Sequence, residues 1–291
     1  MMRKLYAPSA VRELGERYGI RAVKRFGQNF LVDKNVVDRI VEGAGIGEDD
    51  CVLEVGPGMG VLTAALAEKA RRVVAVELDA RLIPLLADVL GNYDNIRVVQ
   101  GDILKIDLCE LLRRDETERG GLKIIGNLPY CITTPVILRF LEEGPQADGM
   151  TFMMQREVAE RISARAGEKA YGALTVAVRY RCETRFIARV SREVFIPKPQ
   201  VDSSVLRFDF RWEKAVRPQS EAMFFAVVRA GFGKRRKTLL NALTGLAGCG
   251  KEEIGRALES AGIDAARRAE TLDLREFAAV ADAVRAFAPR A

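Results

Sequence analysis

Along the first half of the chain, short apolar blocks alternate with glycine, proline and acidic residues; along the last quarter, apolar residues recur at helical spacing. From Asp33 the pattern predicts a helix, with Asp33 as N-cap and Val36, Val37, Ile40 and Val41 on one face. Residues 51–55 form an apolar run broken only by Glu54 and followed at once by Gly56-Pro57-Gly58-Met59-Gly60 and a helical stretch to residue 70. Residues 73–76 predict a buried strand ending in Glu77, 82–90 a helix, 96–99 a third strand closed by Gly101-Asp102, and 123–125 a fourth closed by Asn127-Leu128-Pro129-Tyr130. A strand over 151–154, a helix from Arg156 and an alternating region through 186–190 and 205–210 follow. Strands separated by helical patterns imply βαβ crossovers and a parallel sheet with helices on both faces, and every notable polar residue falls at a strand's carboxyl end, where open α/β sheets bind ligands. After a proline-containing stretch the pattern is helical only, over 221–231, 236–246, 252–261 and 274–287. The expectation is an α/β domain over 1–212 and a small all-helical domain over 213–291.

Composition narrows the chemistry. The 291 residues contain no histidine, which excludes a Ser-His-Asp triad, a Cys-His pair and any imidazole base or ligand. The five cysteines, Cys51, Cys109, Cys131, Cys182 and Cys249, are scattered without a C-x-x-C pair, against both a disulfide framework and a zinc site; no metal is expected. No stretch has the roughly 20 apolar residues that a membrane helix needs, and the charged N-terminus carries no secretory signal, so a cytoplasmic location is expected. The last 79 residues hold 14 basic against 10 acidic side chains, which points to a polyanionic partner.

The glycine turn lets a ligand approach the backbone closely. A dinucleotide fingerprint, G-x-G-x-x-G, would need glycine at 61, or glycine or alanine at 63, where Val61 and Thr63 stand. The spacing is G-x-G-x-G instead. Glu77 offers an acceptor for two ribose hydroxyls and Asp102 one for an adenine amine, so Gly56, Gly58, Glu77 and Asp102 describe a site for adenosine without a phosphate clamp. S-adenosylmethionine fits it better than NAD.

Asn127-Leu128-Pro129-Tyr130 is the most specific element. An exocyclic adenine amine is a poor nucleophile because its lone pair is conjugated into the ring. Two acceptors against its N–H groups, the Asn127 side-chain oxygen and the Leu128 carbonyl, favour a pyramidal nitrogen aimed at a methyl group. Pro129 removes a competing donor, and Tyr130 offers a face on which an extracted base stacks. No general base is needed, since the methylated amine sheds its proton unaided. In Phe195-Ile196-Pro197-Lys198-Pro199-Gln200-Val201-Asp202-Ser203 the residues leave two readings open: Phe195 closes the other side of the base pocket, or it packs in the core of a proline-stiffened connection. The consecutive cations Lys234, Arg235, Arg236 and Lys237, expected to open a helix, fit either a solvated face or contact with RNA phosphates; Lys24 and Arg25 add a second pair.

These elements, with Phe26-Gly27-Gln28-Asn29-Phe30-Leu31 and Gly233 to Leu239, resemble the ribosomal RNA adenine dimethyltransferase family, its small-subunit (16S) branch in particular, over nearly the whole chain. The resemblance implies a Rossmann-like class I methyltransferase sheet with a helical C-terminal domain that contacts RNA. It also implies transfer of methyl groups from S-adenosylmethionine to two adjacent adenines in the 3′-terminal hairpin of small-subunit rRNA, within a pre-ribosomal particle; a monomer is expected. It adds Asn29 and Leu31 to Gly56, Glu77, Asp102 and Asn127 as cofactor residues, and makes Phe195 a base-stacking residue opposite Tyr130. A large-subunit methyltransferase of the antibiotic-resistance type, a non-catalytic assembly factor and a dinucleotide-dependent oxidoreductase are the alternatives.

Overall fold

A computed structural model describes residues 6–20, 28–112, 120–234 and 236–288. Two compact units divide the chain, one of residues 1–159 with 184–210, the other of 160–183 with 211–291.

The first unit opens with α1 (Pro8–Arg17), the short strand β1 (Phe30–Leu31) and α2 (Lys34–Ala44). Asp33 caps α2, accepting from Val36 N at 3.1 Å, and the predicted apolar face is buried. Then come β2 (Cys51–Val55), α3 (Val61–Ala67), β3 (Arg72–Glu77), α4 (Ile83–Leu90), β4 (Ile96–Gln100), α5 (Leu108–Leu111), β5 (Leu122–Asn127), α6 (Thr133–Glu142), β6 (Gly149–Gln155) and α7 (Arg156–Ser163). Further on lie α8 (Ala173–Arg181), β7 (Cys182–Val190), β8 (Phe195–Ile196) and β9 (Ser203–Phe210). The seven-stranded sheet runs β4-β3-β2-β5-β6-β9-β7; β2 to β6 are parallel and β9 is antiparallel to β6. β2 is buried along its whole length because helices cover both faces, so its residues read as an unbroken apolar run rather than an alternation. Valines and leucines of α2 and α3 pack with Val52, Val73, Ile125 and Met153 in one cluster, and Leu82, Leu85, Leu86 and Leu90 build another with Met59. At ~1.5–3 kcal/mol for each such side chain buried, these clusters dominate the stability of the sheet.

From β2 the chain builds outward through β3 to β4, then returns to place β5 on the other side of β2. That reversal opens a crevice at the carboxyl ends of β2 and β5, the position where doubly wound sheets bind ligands.

The second unit is helical, with α8, α9 (Glu221–Gly233), α10 (Leu239–Leu243), α11 (Lys251–Ser260) and α12 (Leu274–Phe287). Its core holds Tyr180 stacked on Phe224 at 4.9 Å between ring centres, with Phe277 and Val280 also buried. Asp273 and Glu276 form a reciprocal capping box at the start of α12. The sequence boundary at 212 falls beside the break at 210/211, but residues 160–183 belong to the helical unit, because α8 buries Leu174, Val176, Val178 and Tyr180. The helix predicted over 236–246 is also shorter: Lys234, Arg236 and Lys237 occupy the turn between α9 and α10, closed by Lys237 N donating to Lys234 O at 2.8 Å, and do not open a helix.

Candidate active site

The crevice holds an open cleft, about 1180 Å³ of empty space when its mouth and the solvent there are included. Asn29, Leu31, Gly56, Gly58, Glu77, Asp102, Asn127, Leu128, Pro129 and Tyr130 all line it. They come from five segments far apart in the chain, yet the strand ends converge: Glu77 pairs with Gln100 one residue before Gly101-Asp102, and Asn127 ends β5 opposite Met153.

The glycine turn is shaped by conformation. Gly56, Gly58 and Gly60 all have positive φ, at 71°, 58° and 81°, a region costly for residues with a Cβ. A Cβ on Gly58 would also stand 3.2 Å from the Phe30 ring, so the turn lies directly beneath the segment that carries Asn29 and Leu31. That segment is held on three sides. β1 pairs antiparallel with β8, Asn127 Nδ2 donates to Asn29 O at 3.1 Å, and Gln28 Nε2 donates to Asp79 Oδ2 at 2.9 Å. Hydrogen bonds from Arg81, with Gln28 adding, pull the Asp79 carboxyl down to about 2.

Three carboxyl groups face the cleft. Glu77 Oε1 accepts from Asp79 N at 2.8 Å and Oε2 from Gly58 N at 3.3 Å, so its orientation is set by the turn it serves. Burial raises its pKa, and those backbone donors oppose the rise. Asp102 Oδ1 accepts from Leu104 N at 2.9 Å, which folds the loop behind the carboxylate. Glu54, in the middle of β2, is 1% exposed, and its Oε2 has no hydrogen-bond partner. Burial pushes its carboxyl up to about 8; the Glu77 carboxylate adds to the rise and the nearby Thr63 hydroxyl, outside hydrogen-bond geometry, opposes it.

That proton makes stability depend on pH. The folded chain binds it more tightly than the unfolded chain, whose glutamate titrates near 4.5. Stability from this group is complete below that value and falls as pH rises towards about 8. Glu54→Gln keeps the shape and cannot ionise, so the variant is expected to lose less melting temperature than the wild type between about pH 5 and about pH 9. Parallel curves for the two proteins would show that the carboxyl is already ionised at the acid end.

One predicted residue is not where the sequence placed it. Phe195 is 3% exposed, faces Leu31 across the β1–β8 ladder and packs in the core cluster; it does not line the cleft. The connection needs an apolar anchor, and burying that ring supplies it. Arg235, like Lys24, Arg25, Phe26 and Gly27, lies outside the described residues; Lys234, Arg236 and Lys237 are exposed. Sequence reasoning also passed over Gln28 and over Glu54 as a cleft residue, although a lone carboxylate inside an apolar strand is a signal of its own.

The chain matches the ribosomal RNA adenine dimethylase family over residues 19–285. It is 46% identical to the ribosomal RNA small subunit methyltransferase A of Alkaliphilus metalliredigens, over 98% of this chain and 99% of that one. To the protein of the same name from Geobacillus thermodenitrificans it is again 46% identical, over 98% of both. Among solved structures, a dimethyladenosine transferase from Plasmodium falciparum superposes with a TM-score of 0.73 at 25% identity, covering 86% of this chain and 95% of that one. The 23S rRNA methyltransferase ErmE superposes at 0.66 with 29% identity, covering 88% and 100%. A glycine turn, two strand-end carboxylates and an Asn-Leu-Pro-Tyr turn in one cleft, with full-length matches of this kind, make the chain a member of the ribosomal RNA adenine dimethylase family.

Proposed function

We propose that this chain transfers methyl groups from S-adenosylmethionine to the N6 amines of two adjacent adenines in the 3′-terminal hairpin of small-subunit rRNA, acting as a monomer on a pre-ribosomal particle in the cytoplasm. The observation that carries the cofactor assignment is the charge of the cleft. Among the described residues it is lined by Glu54, Glu77 and Asp102 and by no lysine or arginine. With its carboxyl held up to about 8, Glu54 carries little charge at neutral pH, so a pyrophosphate would meet like charge there from Glu77 and Asp102, whereas a sulfonium and an ammonium meet counter-charge. When bound, S-adenosylmethionine supplies a methyl group activated by its positive sulfur.

The chain's own residues do the rest. Glu77 retains lone pairs for the ribose hydroxyls beyond the two backbone bonds it accepts, and Asp102 receives the adenine amine of the cofactor. Asn127 spends its amide N–H on Asn29 O, which leaves its oxygen, unpartnered among the described residues, to accept from the target amine. The Leu128 carbonyl is the second acceptor, and Leu128 N, donating to Met153 O at 3.0 Å, fixes it to the sheet. Tyr130 presents its ring to the flipped base. Since the singly methylated amine keeps one N–H, a second transfer can proceed in the same pocket with that N–H against one of the two acceptors.

The relatives named for the small subunit share far more identity with this chain than the large-subunit enzyme does, which favours the small-subunit target. Mass spectrometry of rRNA from cells with and without this gene is expected to find two adjacent dimethyladenosines that vanish with it. Their persistence would overturn the assignment, and a loss confined to large-subunit rRNA would move the target. Methyl incorporation by the purified protein separates the enzyme from a non-catalytic assembly factor. Lys234, Arg236 and Lys237 are read as phosphate contacts. Changing all three to alanine is expected to weaken binding to small subunits and to flatten the dependence of log affinity on log salt by about one per charge removed. An unchanged slope would make that turn an ordinary solvated surface.

A further inference from the structure

The connection after β8 reaches the cleft through a residue other than Phe195. The Tyr130 phenol oxygen lies 3.0 Å from Ser203 Oγ, and either hydroxyl can donate. Ser203 is 1% exposed and opens β9, paired opposite Gln155 of β6. Its neighbour Asp202 is fixed twice, its carbonyl accepting from Arg156 N and its Oδ1 from Arg192 N, both at 3.0 Å. Ser203 is thus a rigid point of the sheet. Tyr130, by contrast, stands in the turn before α6, half buried, with a ring free to move about two side-chain torsions unless its far end is tied. Burial raises the phenol pKa above its ordinary value, the Ser203 hydroxyl opposing and Asp202 adding, so the hydroxyl stays protonated at neutral pH.

We propose that Ser203 is a positioning residue for methyl transfer: its hydroxyl holds the Tyr130 ring in the orientation on which the flipped adenine stacks, and so places the target amine against the Asn127 acceptor. The proposal rests on the reading of Tyr130 as the stacking face. Ser203 lines no part of the cleft and acts through the Tyr130 hydroxyl alone. The sheet thereby lends its stiffness to a turn residue, and the proline-rich connection owes its place in the site to its last residue rather than its first.

A double-mutant cycle tests this on small ribosomal subunits lacking the methylation, with single-turnover methyl transfer and cofactor affinity as readouts. Ser203→Ala and Tyr130→Phe delete the same hydrogen bond from opposite ends. Each is expected to slow transfer about three- to tenfold and leave S-adenosylmethionine affinity unchanged. The double variant is expected to be no slower than either single one, because the bond can be lost only once. Additive losses, or a slow Ser203→Ala beside a normal Tyr130→Phe, would overturn the proposal. Should Ser203→Ala fail to fold, Tyr130→Phe decides alone: wild-type turnover refutes it. Tyr130→Ala separates the two levels. Normal transfer by that variant sinks the stacking reading itself, whereas a dead Tyr130→Ala with normal Tyr130→Phe and Ser203→Ala sinks only the role of Ser203.

Discussion

Asn127→Ala is expected to slow methyl transfer at saturating cofactor by about 10²–10³-fold, the range found when one preorganised polar group is removed from a reaction centre. The side chain sits at the end of β5, and its amide N–H is already committed to Asn29 O at 3.1 Å. That commitment leaves the oxygen as the end of the amide that the proposed mechanism turns to the target amine. Alanine removes the acceptor and also frees the segment carrying Asn29 and Leu31, so a smaller fall in cofactor affinity accompanies the loss of turnover. Asn127→Asp distinguishes the two effects. It keeps an acceptor but sets a carboxylate against the Asn29 carbonyl, so it is expected to retain more turnover than alanine while binding the cofactor no better. Single-turnover assays with affinity measured by calorimetry give both quantities. An alanine variant within tenfold of the wild-type rate would remove Asn127 from the chemistry.

Which parts of this site the sequence disclosed follows from how local each signal is. The glycine turn, Glu77, Asp102 and Asn127-Leu128-Pro129-Tyr130 are strand-end features, and a strand end is marked by the residues that stop it. Parallel strands buried on both faces read as apolar runs, so β2 and β3 were visible from composition alone, and the cleft followed from their order. α8 was not visible. Its residues Leu174, Thr175, Val176, Ala177, Val178 and Tyr180 are nearly all buried, so no apolar stripe repeats every 3.6 residues, and three of them are β-branched. Long-range contacts left no mark either. Nothing in Phe195-Ile196-Pro197 tells a stacking ring from a core ring, because the distinction depends on Leu31, 164 residues earlier in the chain, standing across the ladder. The Tyr130–Ser203 bond spans 73 residues and the Gln28–Asp79 bond 51, and each joins a turn to an element that periodicity places without orienting.

Glu77→Ala is expected to lower S-adenosylmethionine affinity about a hundredfold or more, since hydrogen bonds to a charged acceptor contribute about 1.5–3 kcal/mol each and the proposed binding mode brings two ribose hydroxyls to it. The loss has a second source in the empty protein. Gly58 N and Asp79 N, at 3.3 and 2.8 Å from the carboxylate, would lose their acceptor, and the glycine turn would lose the restraint that sets its shape. Destabilisation of about 1–3 kcal/mol for each donor left buried and unsatisfied is therefore expected in thermal unfolding. Affinity alone does not tell direct contact from a disordered turn, but cofactor analogues lacking the 2′- or 3′-hydroxyl do. Against the wild type each deoxy analogue is expected to bind more weakly than S-adenosylmethionine; against Glu77→Ala that difference should vanish, because the partner of the missing hydroxyl is gone. If the deoxy penalty were the same in both proteins, Glu77 would act only on the turn and the ribose would be held elsewhere.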